Sequence, residues 1–290
     1  MQALRATLPA LTTTLHHFAS STSTFQLLKT ISATPPPPPP KTLYILDSSF
    51  NPPTLAHLHL LTSALLPSPQ PVTPPKRVLL LLSTQNADKA PKPASFEHRL
   101  VMMELFARDL LFTLPKPQTS TSNEQQIAID IGITKLPYFH SKSASIEESG
   151  VYPPETTQIH LLGYDTLIRL LDTKYYPPEH SLSVLEPFLA KHRLRVTYRG
   201  GERGVQDAYL KTLGDGGRED EGGKREWVEE GRIVLVHGIG DGEGEGEGDG
   251  VSSTRVRGAV RGGRREELGR LVTVGVREWV LGEGLYLDGE

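Results

Sequence analysis

The chain of 290 residues has no cysteine, which excludes a disulfide scaffold and a thiolate metal site and fits a reducing compartment. Net charge is only -3 and the isoelectric point about 6.4, so no global field recruits nucleic acid or an anionic membrane. No apolar run approaches the ~20 residues needed to span a bilayer. Acidic residues are missing from 1–46, a stretch rich in Ser and Thr that carries Arg5, Lys29 and Lys41.

What is present divides unevenly. Hydrophobic content of 37% supports a folded domain with some segments outside it, and 24 Pro with 27 Gly point to long loops. Residues 3–31 read as one or two amphipathic helices, or as a targeting segment. The run 35-PPPPPP-40 is then a stiff spacer. On this reading residues 1–40 stand apart from a domain over 41–290. Localisation is expected to be cytoplasmic or nuclear, with a mitochondrial alternative through residues 1–40.

Beyond the spacer, apolar runs of strand length alternate with helical patterns. The runs are 42-TLYIL-46, 77-RVLLLL-82, 126-QIAIDIG-132, 158-QIHLLG-163, 193-RLRVTYR-199 and 232-RIVLVHG-238; the helical patterns are 54–66, 95–111, 164–171 and 265–286. Continuous apolar strands separated by helices predict an α/β doubly wound parallel sheet. Segments 112–125 and 200–231 read as loop insertions, and the Gly/Glu tract 239–250 as disordered.

The most informative stretch is 44-YILDSSFNPPTLAHLHLL-61. In an open parallel sheet, ligands bind beyond the carboxyl ends of the strands, where helix N-termini favour anions. Ser48 and Ser49 bring hydroxyls into that position, the prolines fix the turn, Thr54 is a natural N-cap, and His57 follows on the first helical turn. An isolated histidine there would be ordinary packing. Neither a GxxxxGK[ST] loop nor a GxGxxG fingerprint is present.

The pattern S-F-N-P-P-T-x-x-H resembles the (T/H)-x-x-H motif of the nucleotidylyltransferase superfamily, in particular the start of nicotinamide mononucleotide adenylyltransferases. Four further stretches are similar, in order: 83-STQNADKAPKPASFEHRLVMMELFA-107, 161-LLGYD-165, 251-VSSTRVRGA-259 and 271-LVTVGVREWVLGEGLY-286. Ser48 stands where the family usually has glycine.

The resemblance implies a Rossmann-like doubly wound sheet and transfer of AMP from ATP to nicotinamide or nicotinate mononucleotide, releasing pyrophosphate. It implies that His57 donates to the α-phosphate while Thr54 positions the helix start. Lys89 and Arg257, with the Ser252, Ser253 and Thr254 amides, would hold the β- and γ-phosphates. Arg255 aligns with a position often filled by lysine. Ser48, Ser49, Phe50 and Asn51 would line the nucleotide, with Asn86 and Arg99 in the second motif. Gly163 would allow close approach and Asp165 accept from a ribose or amide donor. Magnesium would be carried on the phosphates mainly through water, without a dedicated carboxylate cage. The alternatives are another adenylyl- or cytidylyltransferase, or a nucleotide-binding interaction protein with weak or no transfer activity.

Overall fold

The computed structural model describes residues 1–32, 38–66, 76–84, 93–114, 127–201, 203–237 and 250–287. In chain order the elements begin with helices α1 (Gln2–Arg5) and α2 (Leu8–Ser20) and strands β1 (Phe25–Ile31) and β2 (Thr42–Asp47). Then come α3 (Leu55–Leu65), β3 (Lys76–Ser83), α4 (Phe96–Thr113), β4 (Ala128–Thr134), α5 (Phe139–Glu148) and β5 (Thr157–Gly163). Next are α6 (Tyr164–Leu170), α7 (Glu186–Lys191), β6 (Arg193–Thr197), α8 (Arg203–Gly214), α9 (Glu226–Glu229) and β7 (Ile233–Val236). The chain closes with α10 (Ser253–Arg261), α11 (Arg265–Gly269) and α12 (Val274–Gly282).

The seven strands form one sheet in the order β1-β4-β3-β2-β5-β6-β7. Every pairing is parallel except β1 with β4. The chain runs outward from β2 through β3 to β4, then returns to the other side of β2 for β5, β6 and β7. The order therefore reverses between β2 and β5, where a crevice opens beyond the strand ends.

Alternation along the strands feeds two faces. Tyr44 and Leu46 join Val78, Leu80, Leu82, Ile129, Ile131 and Ile133 against Met102, Met103 and Phe106 of α4 and Val276, Trp279 and Val280 of α12. Leu43, Ile45, Leu79 and Leu81 face Phe25, Tyr152 and Ile146 of α5. A separate apolar cluster covers the far strands, with Leu162, Leu194, Val196 and Ile233 against Phe188, Leu213 and Trp227.

Several elements differ from the sequence reading. Residues 25–31, placed in a helix on sequence grounds, form β1 instead. Thr30 Oγ1 donates to the buried Asp130 carboxylate at 2.6 Å, Lys29 pairs with Glu104 of α4 at 2.7 Å, and the strand completes the β4 edge. Tertiary pairing outweighs local helical pattern here. The two helices before it are amphipathic as expected, burying Phe18 and packing Leu4, Leu8, Leu11 and Leu15 on the core. The 200–231 stretch is not a loop: α8 and α9 bury Leu213 and Trp227. Helices α5 and α7 were not legible, because Ser and charged residues blur their periodicity. Residues 112 and 113 end α4 and Leu114 is its C-cap; 115–125, and 239–249 of the Gly/Glu tract, lie outside the described residues.

Candidate active site

Ser48 continues the end of β2, its N–H donating to Leu81 O at 3.2 Å. The chain then turns through Phe50, which is fully buried with φ of 44°. A side chain larger than glycine rarely adopts this left-handed conformation, and packing around the ring must hold it. Ser49 is exposed on the outside of the turn, while Asn51, Pro52, Pro53 and Thr54 are buried.

Thr54 caps α3, and the cap is reciprocal. His57 stands at the third helical position, where its side chain replaces the usual Glu or Gln of a capping box. Its Nδ1 accepts the Thr54 backbone N–H at 2.9 Å, with Thr54 Oγ1 also at 2.9 Å. The other ring nitrogen, Nε2, lies 2.9 Å from Ser48 Oγ, and the Phe50 ring is 5.5 Å from the imidazole. Burial, reinforced by the Arg199 guanidinium, lowers the His57 pKa to about 4. The imidazole is therefore neutral at pH 7.

The start of α10 docks directly on this turn. Ser253 Oγ donates to Pro52 O at 2.9 Å, and Arg257 Nη1 to Asn51 O at 3.0 Å. Arg257 Nη2 also donates to Thr254 Oγ1 at 3.2 Å. Ser252 is the N-cap, its hydroxyl accepting the Arg255 N–H at 3.2 Å. Tyr286 from the chain end donates to Asn51 Oδ1 at 2.9 Å. Two helix N-termini, those of α3 and α10, thus meet at one turn, and the positive ends of their dipoles suit an anion.

Across the crevice, Gly163 ends β5 and caps α6. A Cβ there would lie 3.0 Å from Arg199 Nε, so glycine permits the arginine to cross the strand end. Asp165 is 72% exposed and 3.5 Å from the same Nε. Arg99, by contrast, is buried: Nε donates to Ala94 O at 2.8 Å and the guanidinium lies 5.0 Å from the Phe96 ring centre. It holds the chain leading into α4. Arg255 faces away from the turn, pairing with Glu267 at 2.8 Å. Asn86 and Lys89 lie outside the described residues.

Two features were missed in the sequence. Arg199 follows β6 in no recognisable motif. An open cavity of about 480 Å³ is lined by Tyr138, His140, Tyr175, Tyr176 and Glu179, among others. A smaller one of about 190 Å³ beside it reaches Thr166, the residue after Asp165. The Tyr175–Tyr176 pair was the available signal for this aromatic wall. Among the described residues no three His, Asp or Glu side chains are grouped to hold a metal. With that donor set, a divalent ion fits this site as one carried by phosphate oxygens and water.

No family model matches the chain. It is 32% identical over 261 residues to a Schizosaccharomyces pombe protein named "Putative nicotinamide mononucleotide adenylyltransferase", covering 89% of each. Two structures of Plasmodium falciparum nicotinic acid mononucleotide adenylyltransferase share the fold. The one complexed with APC has a TM-score of 0.53 at 12% identity, covering 85% of this chain and 97% of that one. The one complexed with NaAD has a TM-score of 0.52 at 13% identity with the same coverage. By its extended identity to the yeast protein and its shared sheet, the chain belongs to the nicotinamide mononucleotide adenylyltransferase family.

Proposed function

We propose that the protein transfers the adenylyl group of ATP to the 5′-phosphate of nicotinamide or nicotinate mononucleotide. A mononucleotide phosphate oxygen forms a bond to the α-phosphorus, the bond from that phosphorus to the β-bridging oxygen breaks, and pyrophosphate leaves. The attacking oxygen is already anionic, so no protein nucleophile is needed. Catalysis then consists of holding two polyanions in line and stabilising the charge that redistributes.

The observation carrying this reading is the docking of the 252–257 segment on the 48–54 turn, at the reversal point of the sheet. Neutral His57, its Nε2 2.9 Å from Ser48 Oγ, makes with that hydroxyl the donor group placed at the α-phosphate. Ser252, Ser253 and Thr254, at the start of α10, offer amides to the β- and γ-phosphates, with the Arg257 guanidinium beside them. Lys89 is assigned to the same phosphates on its motif alone. Asp165, exposed at the crevice edge, accepts from a ribose hydroxyl. The tyrosine-lined cavity takes the pyridine ring, whose flat face suits stacking on Tyr138 or Tyr176. Magnesium, when bound with ATP, neutralises phosphate charge.

The test is dinucleotide formation by the full chain with Mg-ATP and either mononucleotide, read for NAD by coupling to alcohol dehydrogenase and for the acid product by chromatography. Dinucleotide formation that falls about 100- to 1,000-fold in His57→Ala is the expected result, the scale for losing one preorganised donor. No dinucleotide from either mononucleotide overturns the assignment.

A further inference from the structure

His57 donates along a fixed line. The Thr54 backbone N–H points at Nδ1 from 2.9 Å, and a backbone N–H cannot rotate away. Nδ1 must therefore be the acceptor nitrogen, and the single proton of the neutral ring sits on Nε2. That nitrogen is 2.9 Å from Ser48 Oγ. The histidine donates and the serine accepts.

This direction removes the reading that a serine so close to a histidine first invites, a nucleophile beside its base. A ring nitrogen that carries a proton has no lone pair to receive the serine's. Ser48 nevertheless keeps its own hydroxyl proton, and among the described residues His57 is its only side-chain hydrogen-bond partner. The residue is partly exposed at the crevice, between the strand end and the turn. A chain of hydrogen bonds thus runs from Thr54 N–H through the imidazole to the Ser48 hydroxyl, and among the described residues its last proton has no acceptor.

We propose that Ser48 is the group that meets the transferred phosphate, its hydroxyl donating to a phosphate oxygen while the Nε2–H of His57 polarises it. No proton changes hands; the hydroxyl extends the histidine's donor by one link. Donors in series strengthen one another in a partly desolvated site. Glycine, usual at this position, would leave the imidazole to meet the anion directly, whereas the serine side chain occupies that approach. The departure from the family pattern is then compensated by the group that causes it.

The inference rests on the adenylyl-transfer reading for the identity of the phosphate, but its test needs only nucleotide binding. Mg-ATP affinity is measured by calorimetry on the full chain, on Ser48→Ala, Ser48→Thr and His57→Ala, and on the Ser48→Ala/His57→Ala double variant. Ser48→Ala is expected to weaken Mg-ATP about tenfold, as for loss of one charge-assisted hydrogen bond. Ser48→Thr, which keeps the hydroxyl, should recover most of that loss. Adding His57→Ala to Ser48→Ala should cost little more, because the two act as one unit.

Equal or tighter binding by Ser48→Ala would overturn the proposal, leaving the serine as a competitor that the phosphate displaces from His57. Additive losses in the double variant would overturn it as well. Wild-type protein that binds Mg-ATP but makes no dinucleotide sinks the proposed reaction while the affinity series still decides the role of Ser48. Absence of Mg-ATP binding by the wild type overturns both.

Discussion

Lys142 of α5 ion-pairs with Asp47 at the end of β2, and neither side chain is more than 7% exposed. Asp47 immediately precedes Ser48, and Tyr138, the N-cap of α5, lines the aromatic cavity. The pair ties the 48–54 turn to the helix whose start borders the aromatic cavity. Lys142→Met should destabilise the fold by about 3–5 kcal/mol in urea unfolding, because it strands a buried carboxylate. Lys142→Met combined with Asp47→Leu should recover most of that. A single variant within about 1 kcal/mol of wild type would mean that water reaches Asp47.

Acid stability follows from histidines held neutral. Burial, aided by Arg199, lowers His57 to about 4, and burial, aided by His192 and Lys142, lowers His160 to about 3. Once unfolded, both titrate near about 6.5. As pH falls through that value the unfolded chain takes up protons that the folded chain refuses. Their contribution is therefore complete above about pH 6.5 and is lost on the way down to pH 3–4, on the order of several kcal/mol in all. Urea midpoints across this range should fall steadily, and less steeply in His160→Gln.

Arg199 acts on the same imidazole from across the crevice. Arg199→Ala should raise the His57 titration midpoint, read by NMR of the ring nitrogens, while leaving it below about 6.5 because burial is the larger cause. It should also release Asp165, which the guanidinium approaches at 3.5 Å. An unchanged midpoint would show that solvent screens the arginine.

The N-terminal segment is built into the sheet. Removing residues 1–32 would strip β1 from the β4 edge and uncover the apolar surface that Phe18 and Leu15 cover. Exposed strand edges template association, so the truncated chain should aggregate or melt earlier than the full chain, as size-exclusion and thermal scans would show. Arg5→Ala should change stability by less than about 1 kcal/mol, since the Arg5 side chain of its Glu283 pair is about half exposed.

The parallel core was legible because each buried strand is a continuous apolar run, as in Val78–Leu82, and the intervening α3 and α4 carry their own apolar stripes. The turn from Ser48 to Thr54 announced itself through residues with restricted geometry, and the structure brings Ser253 and Arg257 onto it from 200 positions away. What stayed hidden depends on partners distant in sequence. β1 is a strand because Thr30 and Lys29 find Asp130 and Glu104, which no local pattern encodes. Arg199 matters through its position over Gly163, and Asp47 through Lys142. Arg99, read as holding either the second motif's loop or a phosphate, is buried with Nε bonded to Ala94 O at the end of that segment.

Asn51 is gripped by Arg257 and by Tyr286, one through its carbonyl and the other through its side chain. During synthesis the phosphate turn would emerge early and then wait for more than two hundred further residues before these two arrive. A ribosome-bound or shortened chain would have the strands of the sheet without Asn51 held in place. The shape of the 48–54 turn is therefore settled by residues more than two hundred positions downstream, not by the strand and helix that it joins.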